Sequence, residues 1–208
     1  MKAYVITGEN GIGKTDFAVN LAEYLQKNGK VLLVQAKRNA NSNIEDFFQK
    51  DGMITYDLAD YFSSLVTIDK IIVHETDNLD FIISPLLEDK YDLTSEDLNK
   101  LLSEVSYDYV ILDEVNPDFL NEKTTVEIIN QNQVSSTINA DTFFINKVSD
   151  DYDIRNDKQA IDAKSARFLG TVKIGQYFKD IIENLVNGNA VAIAKLGFFE
   201  KLKMSFRK

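Results

Sequence analysis

Apolar and polar positions along the first 35 residues divide them into strand, loop, helix and strand. Lys2 to Thr7 is a short β-branched and aromatic run, followed by a glycine-rich segment from Gly8 to Gly13. From Lys14 to Asn28 the apolar residues Phe17, Leu21, Tyr24 and Leu25 recur at helical spacing, and Gly29 stands where a left-handed helix C-terminus would. Val31 to Val34 is then a continuous apolar run, as expected of a strand covered on both faces. Similar runs occur at Ile71 to Val73, Phe81 to Ile83, Tyr109 to Leu112, Val126 to Ile129 and Phe143 to Ile145. The clearest intervening helix is Ser95 to Val105, where Leu98, Leu101, Leu102 and Val105 share a face. Strands alternating with helices predict βαβ units and a mainly parallel sheet.

Between the first strand and the first helix lies Gly8-Glu-Asn-Gly-Ile-Gly-Lys14-Thr15, which fits G-x-x-x-x-G-K-[ST] in the context that motif requires. Glycines let successive backbone N–H groups curl around phosphate oxygens, and the helix adds its positive N-terminal end. The loop residues Gly8, Asn10, Gly11, Ile12 and Gly13 are therefore candidate phosphate contacts. Lys14 supplies a point charge for the β- and γ-phosphates, and the Thr15 hydroxyl is a ligand for Mg²⁺. Tyr109 to Asp113 is a hydrophobic strand ending in a carboxylate, which marks Asp113 as the partner of that metal. Glu114 follows directly, giving the Asp-Glu ending in which a glutamate orients the attacking water as general base. An exposed strand-end glutamate without chemistry is the other reading of the same residue.

Composition narrows the classes further. A chain of 208 residues with 44% hydrophobic and 27% charged residues fits one α/β domain of ordinary size. Its net charge of −10 argues against broad binding to nucleic-acid phosphates. Cysteine is absent, which excludes disulfides, thiolate metal sites and cysteine nucleophiles, and the single histidine, His74, cannot by itself build a histidine metal site. His74 is expected to make ordinary hydrogen bonds at a strand end, and Lys37-Arg38 with Asn39, Asn41 and Asn43 to form an exposed polar loop, a contact with phosphate or a partner being the other reading. No run approaches the roughly 18 apolar residues of a membrane span, and the N-terminal apolar run is too short for a signal peptide. The default compartment is cytoplasmic.

With these residues in view, the chain resembles the MinD/ParA group of deviant Walker-A ATPases, and within it the septum-site-determining branch most closely. The likeness includes Thr7 to Thr15, Asn20-Leu-Ala, Gly29 to Val34, Ile54-Thr-Tyr-Asp-Leu-Ala-Asp60, Leu93 to Leu98, Tyr107 to Asp113 and Phe144-Ile-Asn146-Lys147. The resemblance implies a three-layer Rossmann-like P-loop fold with a mainly parallel sheet and helices on both faces. It also implies ATP or ADP with Mg²⁺ as ligands, Asn146 as a contact of the adenine, and a nucleotide-controlled homodimer on the inner face of the bacterial cytoplasmic membrane, where it positions division or related machinery through a protein partner. Three parts of the site depart from the family pattern. Glu9 replaces the signature lysine, turning an attraction to phosphate at about 4 Å into a repulsion of similar size. Gln35-Ala36-Lys37 replaces an Asp-Ala-Asp that positions water, and Pro117, with no N–H, stands where the family has a glycine facing the γ-phosphate. Nucleotide binding is expected to survive these changes and hydrolysis to be impaired. The alternatives are a slow ATPase using Glu114, and a nucleotide-free scaffold or adaptor for division, pilus or secretion systems.

The C-terminal residues 195–208 carry five cations against one carboxylate, a net +4 on an acidic chain. On a helix, Phe198, Phe199, Leu202 and Phe206 gather on one side, with Lys201 and Arg207 elsewhere. An aromatic face beside a basic face suits an interfacial helix on anionic lipid, the role that the family resemblance gives this tail; docking of the phenylalanine stripe on the protein's own core is the alternative. The expected organisation is thus a P-loop domain over 1–194 and a membrane-targeting helix over 195–208.

Overall fold

The computed structural model describes residues 1–40, 42–87, 90–195 and 197. They fall into two compact units, one from Met1 to Ile128 and one beginning at Ile129. In the first unit the strands are β1 (Lys2–Gly8), β2 (Val31–Gln35), β3 (Val73–Thr76), β4 (Leu79–Ile82), β5 (Tyr109–Asp113) and β6 (Thr124–Ile129). They lie in the order β3-β4-β2-β5-β1-β6. Every pairing is parallel except β3 with β4. The α/β class and the mainly parallel sheet are therefore as the sequence pattern predicts.

Helices cover both faces of this sheet. On one side Val5, Leu32, Val34, Ile82, Val110 and Leu112 pack with Leu58 and Tyr61 of α3 (Leu58–Phe62) and with Leu98 and Leu101 of α4 (Ser95–Glu104). The alternate positions Tyr4, Ile6, Leu33 and Ile111 face the other side, as the pleat requires. There α1 (Lys14–Leu25) buries Phe17, Leu21 and Leu25 completely, and α2 (Ile44–Phe47) adds the fully buried Ile44.

Two details differ from the sequence expectation. The helix that starts at Lys14 ends at Leu25, and Gly29 is not its left-handed terminus. A Cβ on Gly29 would sit 2.5 Å from Asp108 Oδ2, the atom that accepts from Lys30 N at 2.8 Å. The glycine is there for close approach rather than for its backbone angle. The strand expected at Ile71 to Val73 begins instead at Val73, because Ile71 closes a 3₁₀ turn and buries its side chain in the core. Asp77 and Asn78 then form a two-residue turn that folds β3 back on β4 as an antiparallel edge. His74 lies on β3, exposed, with Nδ1 on the Asp80 carboxylate, an ordinary hydrogen bond as expected.

The segment Ile54 to Asp60 has a structural role. Asp57 is fully buried and caps α3, accepting from Ala59 N at 2.8 Å and Asp60 N at 3.1 Å. It also accepts from Leu86 N at 2.8 Å and Lys90 Nζ at 3.0 Å, and Lys90 reaches Asp60 at 2.7 Å. One carboxylate thereby fixes both the start of α3 and the chain that leaves β4.

The second unit contains β7 (Thr142–Val148) and β8 (Arg167–Lys173), which pair in parallel, with α5 (Lys158–Asp162) and α6 (Lys179–Asn187). Phe143, Ile145, Ile161 and Phe168 form its core with Ile193. Asn184 Nδ2 of α6 donates to the carbonyl of Leu169 at 3.0 Å, and Gly188, at φ +74°, ends the helix. β8 and α6 were not singled out from the sequence: Gly170 interrupts the apolar run of β8, and the three buried residues of α6, Ile181, Ile182 and Leu185, make too short a stripe.

Replacing Asp57 by alanine removes the cap of α3 and one of the two carboxylates on Lys90. Urea unfolding of Asp57→Ala should show a loss of about 2 kcal/mol.

Candidate phosphate-binding site

In an open parallel sheet the carboxyl ends of the strands form one edge, and ligands collect where the strand order reverses. Here β1 lies between β5 and β6, and β5 lies between β1 and β2. The registers Ile6↔Asp113 and Gln35↔Asp113 bring the ends of the three strands level. The loop that leaves β1 therefore arises beside Asp113.

That loop depends on two glycines. A Cβ on Gly8 would lie 2.5 Å from the carbonyl oxygen of Ile128, a backbone clash that no side chain can relieve. Gly13 caps α1 at φ +101°, a conformation open to glycine and strained for other residues. Ile12 is buried and its Cγ2 approaches Gly8, while Glu9, Asn10 and Gly11 face solvent. Lys14 and Thr15 follow in the first turn of α1, both more than nine-tenths buried.

Lys14 Nζ lies 3.0 Å from the carbonyl oxygens of Gly8 and Glu9 and 3.0 Å from Oε1 of Glu114. An ammonium has three N–H donors, and here each has an acceptor. Thr15 Oγ1 donates to Asp113 Oδ2 at 2.6 Å, linking α1 to β5. Gln35 Nε2 approaches the same oxygen at 3.3 Å, and Asn39 Nδ2 donates to the Thr15 hydroxyl at 2.9 Å. Asp113 Oδ1 is buried and has no hydrogen-bond partner.

Sequence reasoning placed Lys37 to Asn43 in an exposed polar loop, and the structure corrects this for three residues. Asn39 reaches Thr15, and its backbone is held by Asn43 in both directions, at 2.7 and 3.1 Å. Asn43 is buried, and Arg38 pairs at 2.6 Å with the buried Glu45. Lys37 remains exposed. The signal for Gln35 was present: a polar residue closing an apolar strand beside a buried carboxylate. For Asn39 no local pattern existed.

Burial pushes the Asp113 carboxyl up to about 6. The Thr15 hydrogen bond opposes this, the Glu114 charge adds to it, and Lys14 pulls back. A buried acid that is hard to ionise, with one oxygen unpartnered beside a threonine hydroxyl, fits a divalent cation better than it fits an empty core. Thr15 and Asp113 are the residues that would hold Mg²⁺. Among the described residues, no cluster of three or more His, Asp or Glu side chains is suited to a metal.

Glu114 turns out of β5 at φ +58°, a left-handed conformation rare for a glutamate. It borders a cavity of about 420 Å³ with Ala36, Lys37, Asn116 and Phe119. Pro117 opens a 3₁₀ turn just beyond, with Asn116 Oδ1 accepting from Asp118 N at 3.0 Å. Asn146 belongs to the second unit, buried on β7, where its Oδ1 accepts from Lys147 N at 2.9 Å. Of the candidate residues, the structure gathers the loop, Lys14, Thr15, Asp113 and Glu114 at one edge of the first unit. The membrane candidates Phe198, Phe199, Lys201, Leu202, Phe206 and Arg207 lie outside the described residues. Among those described, no helix is long and apolar enough to cross a membrane.

A parallel sheet with a glycine-rich loop leading into a helix, a lysine and threonine at the helix start, and an aspartate on a neighbouring strand defines the P-loop nucleoside-triphosphatase class of fold. The fold is more narrowly that of the MinD/ParA ATPases. A plasmid partition protein from Borrelia burgdorferi superposes with a TM-score of 0.67 at 22% identity, over 90% of this chain and 98% of that one. The septum site-determining protein MinD of Pyrococcus horikoshii, complexed with Mg-ADP, gives 0.64 at 15% identity, over 91% and 86%. A complex of a Cyanothece McdA variant with ATP gives 0.68 at 15% identity, over 93% and 99%. No family model and no curated protein matches the sequence.

The raised Asp113 has a consequence for stability, because the folded protein holds this proton up to about pH 6 while an unfolded aspartate releases it near 3.8. Between those values the folded state binds more protons, so this group's contribution to stability falls as pH rises and stays lost above pH 6. Asp113→Asn should flatten that slope and raise ligand-free stability at pH 7.5 by about 2 kcal/mol in urea unfolding at pH 5, 6 and 7.5.

Proposed function

We propose that this chain is a nucleotide-binding protein of the MinD/ParA type that positions a protein partner, with little or no ATP hydrolysis. The observation that carries the reading is the 2.6 Å bond from Thr15 to the buried Asp113, set directly beneath a glycine loop that ends in Lys14. The backbone amides of Gly8 to Gly13 and the start of α1 would receive the diphosphate. Lys14 gives the site its cation, and Thr15 Oγ1 with the unpartnered Oδ1 of Asp113 would hold Mg²⁺. When bound, Mg²⁺ neutralises and orients phosphate oxygens. Asn146 is the proposed contact of the adenine. The Mg-ADP and ATP named in the solved MinD and McdA structures support an adenine nucleotide and magnesium here.

Slow turnover rests on side chains of this chain. Gln35 offers an amide where the resembling family places a water-positioning carboxylate, and it donates toward Asp113. Glu114, the candidate base, is held on Lys14. Pro117 has no N–H to offer a phosphate. Glu9 gives the loop a carboxylate in place of a second cation. Association with the inner face of the cytoplasmic membrane is proposed from the basic, aromatic tail alone. Such a short helix binds weakly, so a dimer carrying two tails is the form that would stay attached.

Isothermal titration with Mg-ADP and Mg-ATP tests the central reading. Saturable binding is expected for the intact chain, with Lys14→Ala weakening it by about 100-fold; no heat and no shift in melting temperature with either nucleotide would overturn it. Sedimentation with anionic vesicles should retain the full chain and lose a chain ending at residue 195, while equal recovery of both would remove the membrane assignment.

A further inference from the structure

We infer that the phosphate loop is selective for nucleoside diphosphate over triphosphate, because the Glu114 carboxylate occupies the place on Lys14 that a γ-phosphate would take. The inference deepens the nucleotide reading above and rests on it. It begins from the saturated ammonium. Lys14 Nζ lies 3.0 Å from two loop carbonyls and 3.0 Å from Glu114 Oε1, and its side chain is only 6% exposed, that of Glu114 17%. Of its three acceptors only Glu114 carries a charge, so a terminal phosphate competes for the ammonium with that carboxylate.

The backbone keeps Glu114 in place. At φ +58° it leaves β5 in a conformation that favours glycine or asparagine and is strained for other residues. The ion pair with Lys14 is one contact that offsets this strain. A flexible surface glutamate would have no reason to occupy it.

The surrounding charges sharpen the selectivity. From residue 3 to residue 26 Lys14 is the only cation, beside the carboxylates of Glu9, Asp16 and Glu23. Arg38, on the cavity that Glu114 borders, is engaged by Glu45 at 2.6 Å. Lys37, on the same cavity, is exposed to solvent. A β-phosphate has, besides Lys14, the loop amides and the N-terminus of α1, neutral donors that Glu114 does not compete for. A γ-phosphate has to displace Glu114 from the ammonium and then sit beside the carboxylate it displaced. At a few ångströms and the effective dielectric of a protein surface, that exchange is strongly unfavourable.

The experiment is a parallel titration of the intact chain, Glu114→Gln and Glu114→Asn with ADP and with ATP in excess Mg²⁺. Glutamine keeps the size without the charge, and asparagine tolerates the left-handed backbone, so one of the two is expected to fold if the other does not. The intact chain should bind ADP at least about tenfold more tightly than ATP. In both variants ATP affinity should rise by about tenfold or more and ADP affinity by a clearly smaller factor, abolishing the preference. ADP binding without a preference over ATP, or an equal change for both nucleotides in the variants, overturns the inference and leaves the nucleotide reading standing. Failure of all three proteins to bind either nucleotide overturns both.

Discussion

A carboxylate with no solvent exposure at the end of a central strand is the constraint around which the first unit is organised. Burying the Asp113 charge alone would cost several kcal/mol, so the chain surrounds it with groups that reduce the penalty. Thr15 bonds to it from the first turn of α1, and Gln35 approaches it from the neighbouring strand. Lys14 brings a positive charge close by. Thr15 and Lys14 come from the start of α1 and Gln35 from β2, and the parallel register of β1, β5 and β2 brings them to one place. The penalty is reduced rather than removed, since the acid stays hard to ionise and one of its oxygens has no partner. Such a site is poised for a cation.

The loop and its two supports were legible in the sequence because each is local. Gly8, Gly13, Lys14 and Thr15 occupy a fixed spacing between a strand run and a helical stripe, and Asp113 closes an apolar run of four. The left-handed turn at Gly13 and the close approach at Gly8 are what that glycine spacing is for. Where the sequence misled, the cause was a contact made across the sheet. Gly29 looked like a helix terminus, yet its missing side chain makes room for Asp108, 79 positions later. Asn39 looked like solvated loop because its partner, Thr15, lies on another element.

Glu114 is the sharper case. Its position after the strand aspartate made it a candidate base, and nothing in the local pattern pointed to Lys14. The pairing depends on a single left-handed residue, which rotates the side chain back over the loop. Propensity argues against that conformation for glutamate, and a rule broken locally is a sign of a constraint imposed from elsewhere. With Oε1 on the ammonium, only Oε2 is left to meet a water, so the role written in the motif and the role drawn by the geometry compete for one carboxylate.

The departures from the resembling family are best understood together. Glu9 removes a cation from the loop, and Glu114 engages the one that remains. Gln35 takes a carboxylate away from the neighbourhood of Asp113, which leaves less negative charge for a metal to balance. A site built to stabilise the spreading charge of a transferring phosphoryl group needs more fixed positive charge than it needs for binding alone. Here Glu9 and the Glu114–Lys14 pair move the other way and Gln35 does not, while the glycines, Lys14, Thr15 and Asp113, the proposed contacts of a diphosphate, are intact. The proposed loss of hydrolysis and retention of binding would then both follow from this one set of substitutions. A protein altered in this way would report which nucleotide it holds through its conformation and its partners, with no need to turn that nucleotide over.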